Sequence, residues 1–221
     1  MVTSLRSFDE LAAARWSCRG YEPEPVPQEI LEAIATTAQR APSWCNTQPW
    51  HTEIVSGAEL DRLRKALAED GRWGSDFAFP ERYEGVYRDR RREVAWQLYD
   101  AVGVERGDRA ASGAQTMLNF EFFGAPHAAF ITVPTALGVY ALADAGAYVQ
   151  TFLLAVESHG LGAIAQAALA QKADFLREWF DWDEDRSLVC AISFGRPDRG
   201  HPANSFRSHR VPVAEAVRFH G

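Results

Sequence analysis

The chain has 221 residues and a net charge of −7, with 47% hydrophobic and 24% charged residues. A chain of this length buries roughly 70% of the surface it exposes when unfolded, so a full core is within reach and composition excludes a disordered chain. The acidic balance disfavours wholesale binding to nucleic acid or to an anionic membrane.

In chain order, "SFDELAAAR" offers Ser7 as an N-cap ahead of strong helix formers, and "RWSCRGY" (15–21) breaks that helix off at Gly20. "VPQEILEAIATTAQRAP" opens with Pro27 in the first-turn position, repeats Ile30, Ile34 and Ala38 at helical spacing, and stops at Pro42. "APSWCNTQPW" (41–50) then packs two prolines, an Asn, a Gln, a Cys and two Trp into one short connection. "WHTEIVSG" reads as a strand and "AELDRLRKALAEDG" as a surface helix. Residues 71–85 lack a period and carry Trp73, Phe77, Phe79 and Tyr83, a loop long enough to lie over a pocket. "YRDRRREVAWQLYDAVGV" sets Val94, Leu98 and Val102 on one helical face. Residues 71–110 are thus expected to form a helical and loop excursion near a site.

From Ala125 to Ala143 there is no acidic or basic residue apart from His127, over about the length that spans a bilayer. Pro134 divides this stretch and Asp144 follows it, so the expectation is a buried strand and then a buried helix. That long helix, "ALADAGAYVQTFLLAVESHG", ends at Gly160; "ADFLREWF" is a short helix and "SLVCAISFG" a buried strand. Residues 196–221 form a polar C-terminal arm. With about four strands and many helices, the pattern predicts one α+β domain over 1–221. The three cysteines form no CxxC pair, and without a secretory leader they are expected to be reduced thiols in a cytoplasmic protein.

Chemistry concentrates at the two chain ends. Arg15, Ser17 and Arg19 sit directly after a helix, and Ser205, Arg207, Ser208 and Arg210 lie in "SFRSHR". Forked, permanently charged donors with short hydroxyls suit a compact phosphate dianion, and each charge-assisted bond contributes about 1.5–3 kcal/mol. "GLGAIAQAALA" lacks the dinucleotide-binding spacing, the six histidines show no metal-ligand spacing, and a Cys45–His51 nucleophile–base pair is a minor alternative without an oxyanion motif. "RDRRRE" (88–93) is a solvated helix face by default.

The order of these pieces resembles the FMN-dependent nitroreductase family over nearly the whole chain. Its entrance pattern stands here as "RWSCRGYEPEPVPQEILEAIATTAQRAPSWCNTQPW", followed by "NFEFFGAP", "GLGAIAQAAL" and "VCAISFGRPD" in the family's order. The resemblance implies a nitroreductase-like fold, a central, mostly antiparallel sheet of four to five strands flanked by helices, in a homodimer with FMN at the interface. It implies that Arg15, Trp16, Ser17 and Arg19 hold the phosphate and ribitol, joined by Arg210 from the tail. Ser208 stands where many relatives carry Lys, and Arg207 is expected to substitute. Pro42, Ser43, Trp44 and Asn46 of the second subunit are expected to close over the flavin. The segment containing Gln166, Ala167 and Ala168 is expected to approach flavin N5, with Ala165 in place of the family's Pro. No side chain is expected to act as a catalytic nucleophile, and Phe77, Phe79, Phe122 and Phe123 are candidate walls for a substrate slot. The implied activity is transfer of a hydride from NAD(P)H and reduction of nitroaromatics or quinones by a ping-pong cycle. A flavin-fragmenting or dehalogenating relative and a non-catalytic flavin-binding module are the alternatives.

Overall fold

The computed structural model describes residues 7–221. Ser7 opens α1 (Phe8–Ala14) with a complete capping box, its hydroxyl accepting the Glu10 N–H while the Glu10 carboxylate accepts the Ser7 N–H. Helix α2 (Gln28–Ala38) starts one residue after Pro27 and buries Leu31, Ile34 and Ala38. Strand β1 (His51–Ser56) leads into α3 (Gly57–Glu69), whose charged sequence hides a face of Leu60, Leu63 and Leu67. After the 71–84 loop come α4 (Gly85–Val102), closed by Gly103 in the left-handed conformation, and α5 (Arg109–Met117), capped by the Asp108 carboxylate. Strand β2 (His127–Pro134), α6 (Gly138–Ser158), β3 (Gly162–Gln166), α7 (Ala173–Phe180), β4 (Arg186–Gly195) and the short α8 (Val213–Ala216) complete the order.

Among the described residues the sheet has four strands, wholly antiparallel, in the order β1-β2-β4-β3. Strand β2 is central and covered on both faces, which is why its sequence is apolar without alternation. One face packs Ala129, Ile131, Ile192 and Phe194 against α2 and α6; the other packs Ala128, Phe130, Leu188 and Ala191 against α3 and α7. A bulge between Ile131 and Thr132 leaves Val189 without a partner and switches the face that β4 presents, so Leu188 and Cys190 point into opposite cores. By length and composition α6 with its preceding turn, Thr135–Ser158, could cross a membrane, at mean hydropathy 1.4. In this fold it is the central helix of the first core, through Tyr148, Phe152 and Val156, while Ala141 and Ala145 pack with Val133.

Two expectations change here. Phe122, a candidate slot wall, is fully buried edge-on to Phe130 beneath Arg64, because the left-handed turn at Phe122 and Phe123 rolls it into the core. Residues 94, 98 and 102 do share a face of α4, but no residue of that helix is fully buried. The face overlooks cavities, not a core.

Candidate active site

The N-terminal segment is placed by the sheet edge. Ser17 forms a parallel bridge with Ala163 of β3, and the Cys18 N–H donates to the Ala163 carbonyl at 3.1 Å. Cys18 is fully buried against Gly162, where an added Cβ would lie 2.9 Å from the Cys18 Cβ and Sγ. Burial pushes the Cys18 thiol up to about 11, so it is a packing residue and stays protonated. Because side chains of an extended segment alternate, anchoring Cys18 inward leaves Ser17 and Arg19 facing the other way.

The C-terminal arm comes to the same place. Asn204 is buried, and its Oδ1 accepts the Arg19 N–H at 2.8 Å while its Nδ2 donates to the Gly20 and Asp198 carbonyls at 2.8 and 2.7 Å. The Arg207 guanidinium donates to the Asn204 carbonyl at 2.9 Å and stacks 3.9 Å from the centre of the Trp16 ring. Arg19 lies 6.0 Å from the centre of the Phe206 ring. Asn204 was missed in the sequence: an isolated Asn gives no signal, and its importance arises only when positions 185 residues apart meet.

The result is a cavity of about 480 Å³ whose walls include Arg15, Trp16, Ser17, Arg19, Arg207, Ser208 and Arg210. The arginine clusters of both chain ends therefore converge. Among the described residues no carboxylate lines it. Burial lowers the pKa of Arg15, Arg19 and Arg207, and Arg210 lowers that of Arg15 further. The Glu157 carboxylate, outside the cavity wall, partly offsets this at Arg15 and Arg207, and the wall itself presents guanidiniums with no carboxylate among them.

A second cavity of about 240 Å³ adjoins the first and shares Arg19 with it. Leu98, Tyr99, Gln115, Asn119, Phe123, Ile164, Ala165, Gln166 and Ala167 line it. The Gln166 side chain is used internally, donating to the Asn119 carbonyl at 2.9 Å and accepting from the Ser193 hydroxyl. Gln115 Nε2 is buried with no acceptor, a donor left pointing for a ligand. Ala168 does not line this cavity and packs against the second core. Of the four phenylalanines considered for the slot, Phe123 lines it; Phe77 packs on Val133 and Ala141, and Phe79 is exposed.

Pro42, Ser43, Trp44 and Asn46 line neither cavity. Their turn is nonetheless held rigidly. The Asp144 carboxylate accepts the Trp44 N–H at 3.0 Å, Ser43 Oγ accepts the Gln48 N–H at 2.9 Å, and Trp44 stacks on Tyr140 at 5.5 Å. Cys45, Asn46 and Gln48 adopt positive φ. No hydrogen bond joins Cys45 to His51, whose ring instead meets Glu53 at 2.9 Å; the nucleophile–base pair is not assembled.

The donor set fits FMN. Four guanidiniums and two hydroxyls suit a phosphate, and the adjoining cavity supplies apolar walls with a free amide donor for a polar ring system. Comparison with known proteins agrees. The 4-nitrobenzoate reductase of Nocardioides sp. is 34% identical over 226 residues, 99% of this chain and 92% of that protein. The crystal structure of the FMN-dependent nitroreductase NfnB from Mycobacterium smegmatis in complex with NADPH has a TM-score of 0.90 at 36% identity, covering 96% of this chain and 97% of that one. The FMN and NADPH-dependent nitroreductase NfnB from Sphigopyxis sp. strain HMH has a TM-score of 0.93 at 30% identity, covering 98% and 100%. The family model described as "Nitroreductase family" matches residues 12–196, a span that carries the Arg15–Arg19 segment and the β3 turn that shape the two cavities. On that match this chain belongs to the nitroreductase family.

Proposed function

We propose that the chain holds FMN across the two joined cavities, phosphate among the guanidiniums and ring beside Gln166 and Ala167, and reduces nitroaromatics and quinones with NAD(P)H. The observation that carries this reading is the convergence of Arg15, Arg19, Arg207 and Arg210 on one carboxylate-free cavity that shares Arg19 with a second. FMN supplies the hydride-accepting and electron-donating chemistry that no side chain here offers. Trp16 holds the Arg207 guanidinium flat, Asn204 sets the backbone of Arg19, and Ser17 and Ser208 add hydroxyl donors. Arg19 and the Gln115 amide bring positive charge and a free donor to the ring cavity, where electrostatic help matters most for a reduction. Donor and acceptor take one slot in turn, a ping-pong order.

The active form in this reading is a homodimer in which Pro42, Ser43, Trp44 and Asn46 of a second copy close over the ring cavity. Support comes from a rigid turn that presents a large apolar residue outward: Trp44 is 65% exposed, beside Tyr140 at 64% and Val139 at 71%. Backbone strain and exposed aromatic area at one place mark a surface built for contact.

The test is the visible spectrum of the purified protein, followed by steady-state NADPH oxidation with 4-nitrobenzoate or menadione. Flavin absorbance that bleaches with NADPH under nitrogen and recovers with the acceptor supports the reading. A colourless protein that does not take up added FMN overturns it.

A further inference from the structure

We propose that the cavity between α4 and the C-terminal arm is the seat of the phosphorylated adenosine half of NADPH, with Arg91 reading the extra ribose phosphate that distinguishes NADPH from NADH. The inference rests on the FMN reading above and extends it to the donor. The cavity measures about 780 Å³ and adjoins the phosphate cavity, sharing Val94, Ser208 and Arg210 with it. Its walls add Tyr83, Arg90, Arg91, Glu93, Gln97 and His209, so that with Arg210 three guanidiniums stand against one carboxylate in a chain of net charge −7.

The charges around it are unequally committed. Glu93 engages His209 at 2.7 Å, and Arg90 lies 3.6 Å from Glu215. Arg91 has no carboxylate partner among the described residues; its guanidinium rests 5.3 Å from the centre of the Tyr83 ring, which holds the fork in place without neutralising it. Gln97 Oε1 is buried with no donor, and the exocyclic amino group of an adenine is a donor of the kind it lacks. A held but unpaired guanidinium, an orphaned acceptor and an aromatic wall in one hollow match a phosphorylated purine nucleoside better than an apolar substrate.

Helix α4 sets the spacing. Leu98 and Tyr99 line the ring cavity and Arg91 lies seven residues, two turns or about 11 Å, toward the N-terminus. A donor whose nicotinamide reaches the ring cavity can thus lay its other half along the same helix.

The experiment compares wild-type holoenzyme with Arg91→Ala and Arg91→Lys, using 4-nitrobenzoate as acceptor and NADPH or NADH as donor. In Arg91→Ala the KM for NADPH should rise about 10- to 100-fold, the loss of one charge-assisted contact, while the KM for NADH and both kcat values stay within about twofold. Arg91→Lys should recover part of the difference. The adenosine bisphosphate fragment of NADPH should inhibit wild type competitively against NADPH and lose potency in Arg91→Ala. A flavin-loaded, active Arg91→Ala enzyme with an unchanged NADPH-to-NADH preference, or with both KM values shifted together, overturns this inference and leaves the FMN reading intact. A preparation without flavin overturns the latter instead.

Discussion

The buried side chain of Asn204 accepts the backbone N–H of Arg19 at 2.8 Å, and its own backbone carbonyl accepts the Arg207 guanidinium at 2.9 Å. One residue thus couples both arginine groups of the cavity. Asn204→Ala leaves the partly buried Arg19 N–H without its acceptor and takes one donor each from the Gly20 and Asp198 carbonyls, which keep the Asp198 and His201 N–H groups. The expected cost is about 1–3 kcal/mol in urea unfolding, with markedly poorer flavin retention on dialysis. An unchanged midpoint together with full retention contradicts the coupling.

Arg15→Ala separates phosphate recognition from ring recognition. Removing one charge-assisted contact should weaken FMN binding by about 1.5–3 kcal/mol, roughly 10- to 150-fold. Riboflavin, which lacks the phosphate, should bind wild type and variant alike in a fluorescence titration. Equal losses for both ligands place Arg15 elsewhere than at the phosphate.

At Gly162 a methyl group would meet the Cβ and Sγ of Cys18 at 2.9 Å and the Cβ of Pro197 at 3.2 Å. Relief requires the Ser17–Arg19 segment to back away from β3. Gly162→Ala should destabilise by about 1–3 kcal/mol and lower flavin occupancy as well. Thermal melts with and without added FMN measure both effects, and a variant that melts like wild type removes the packing argument.

His127 gives a pH dependence. It is buried, its Nε2 accepts the Val26 N–H at 2.8 Å, and burial lowers its pKa below the ordinary histidine value. Protonation would turn that acceptor into a donor facing another donor. A depressed folded value means that the unfolded chain binds the proton more readily, so this contribution is complete above about pH 6.5. Stability is lost as pH falls from there towards the folded value, and no further below it. Urea midpoints between about pH 5 and 8 should slope accordingly in wild type and flatten in His127→Gln.

The elements that bury whole faces were legible. Strand β2 and helix α7 coincide with "HAAFITVP" and "ADFLREWF" as read, because a strand covered on both sides and a strongly amphipathic helix declare themselves in their patterns. Strand β3 carries no such mark: five residues rich in Ala and Gly pair only because β4 offers an edge. The arginines of the two ends stood out individually, but only tertiary closure shows that they share a cavity. Phe122 misled for a local reason. Three consecutive positive-φ residues, Phe122, Phe123 and Gly124 of "FFGAP", reverse the direction in which the rings point, and no periodicity encodes that.

The parallel bridge of Ser17 to Ala163 carries a last implication. Strand β3 ends the sheet, and the stretch that gathers cations also shields its outer rim. A chain that lets this stretch go uncovers unpaired backbone along a small-residue strand, an invitation to stray pairing between molecules. Keeping its yellow ligand is therefore also how this molecule would stay dispersed.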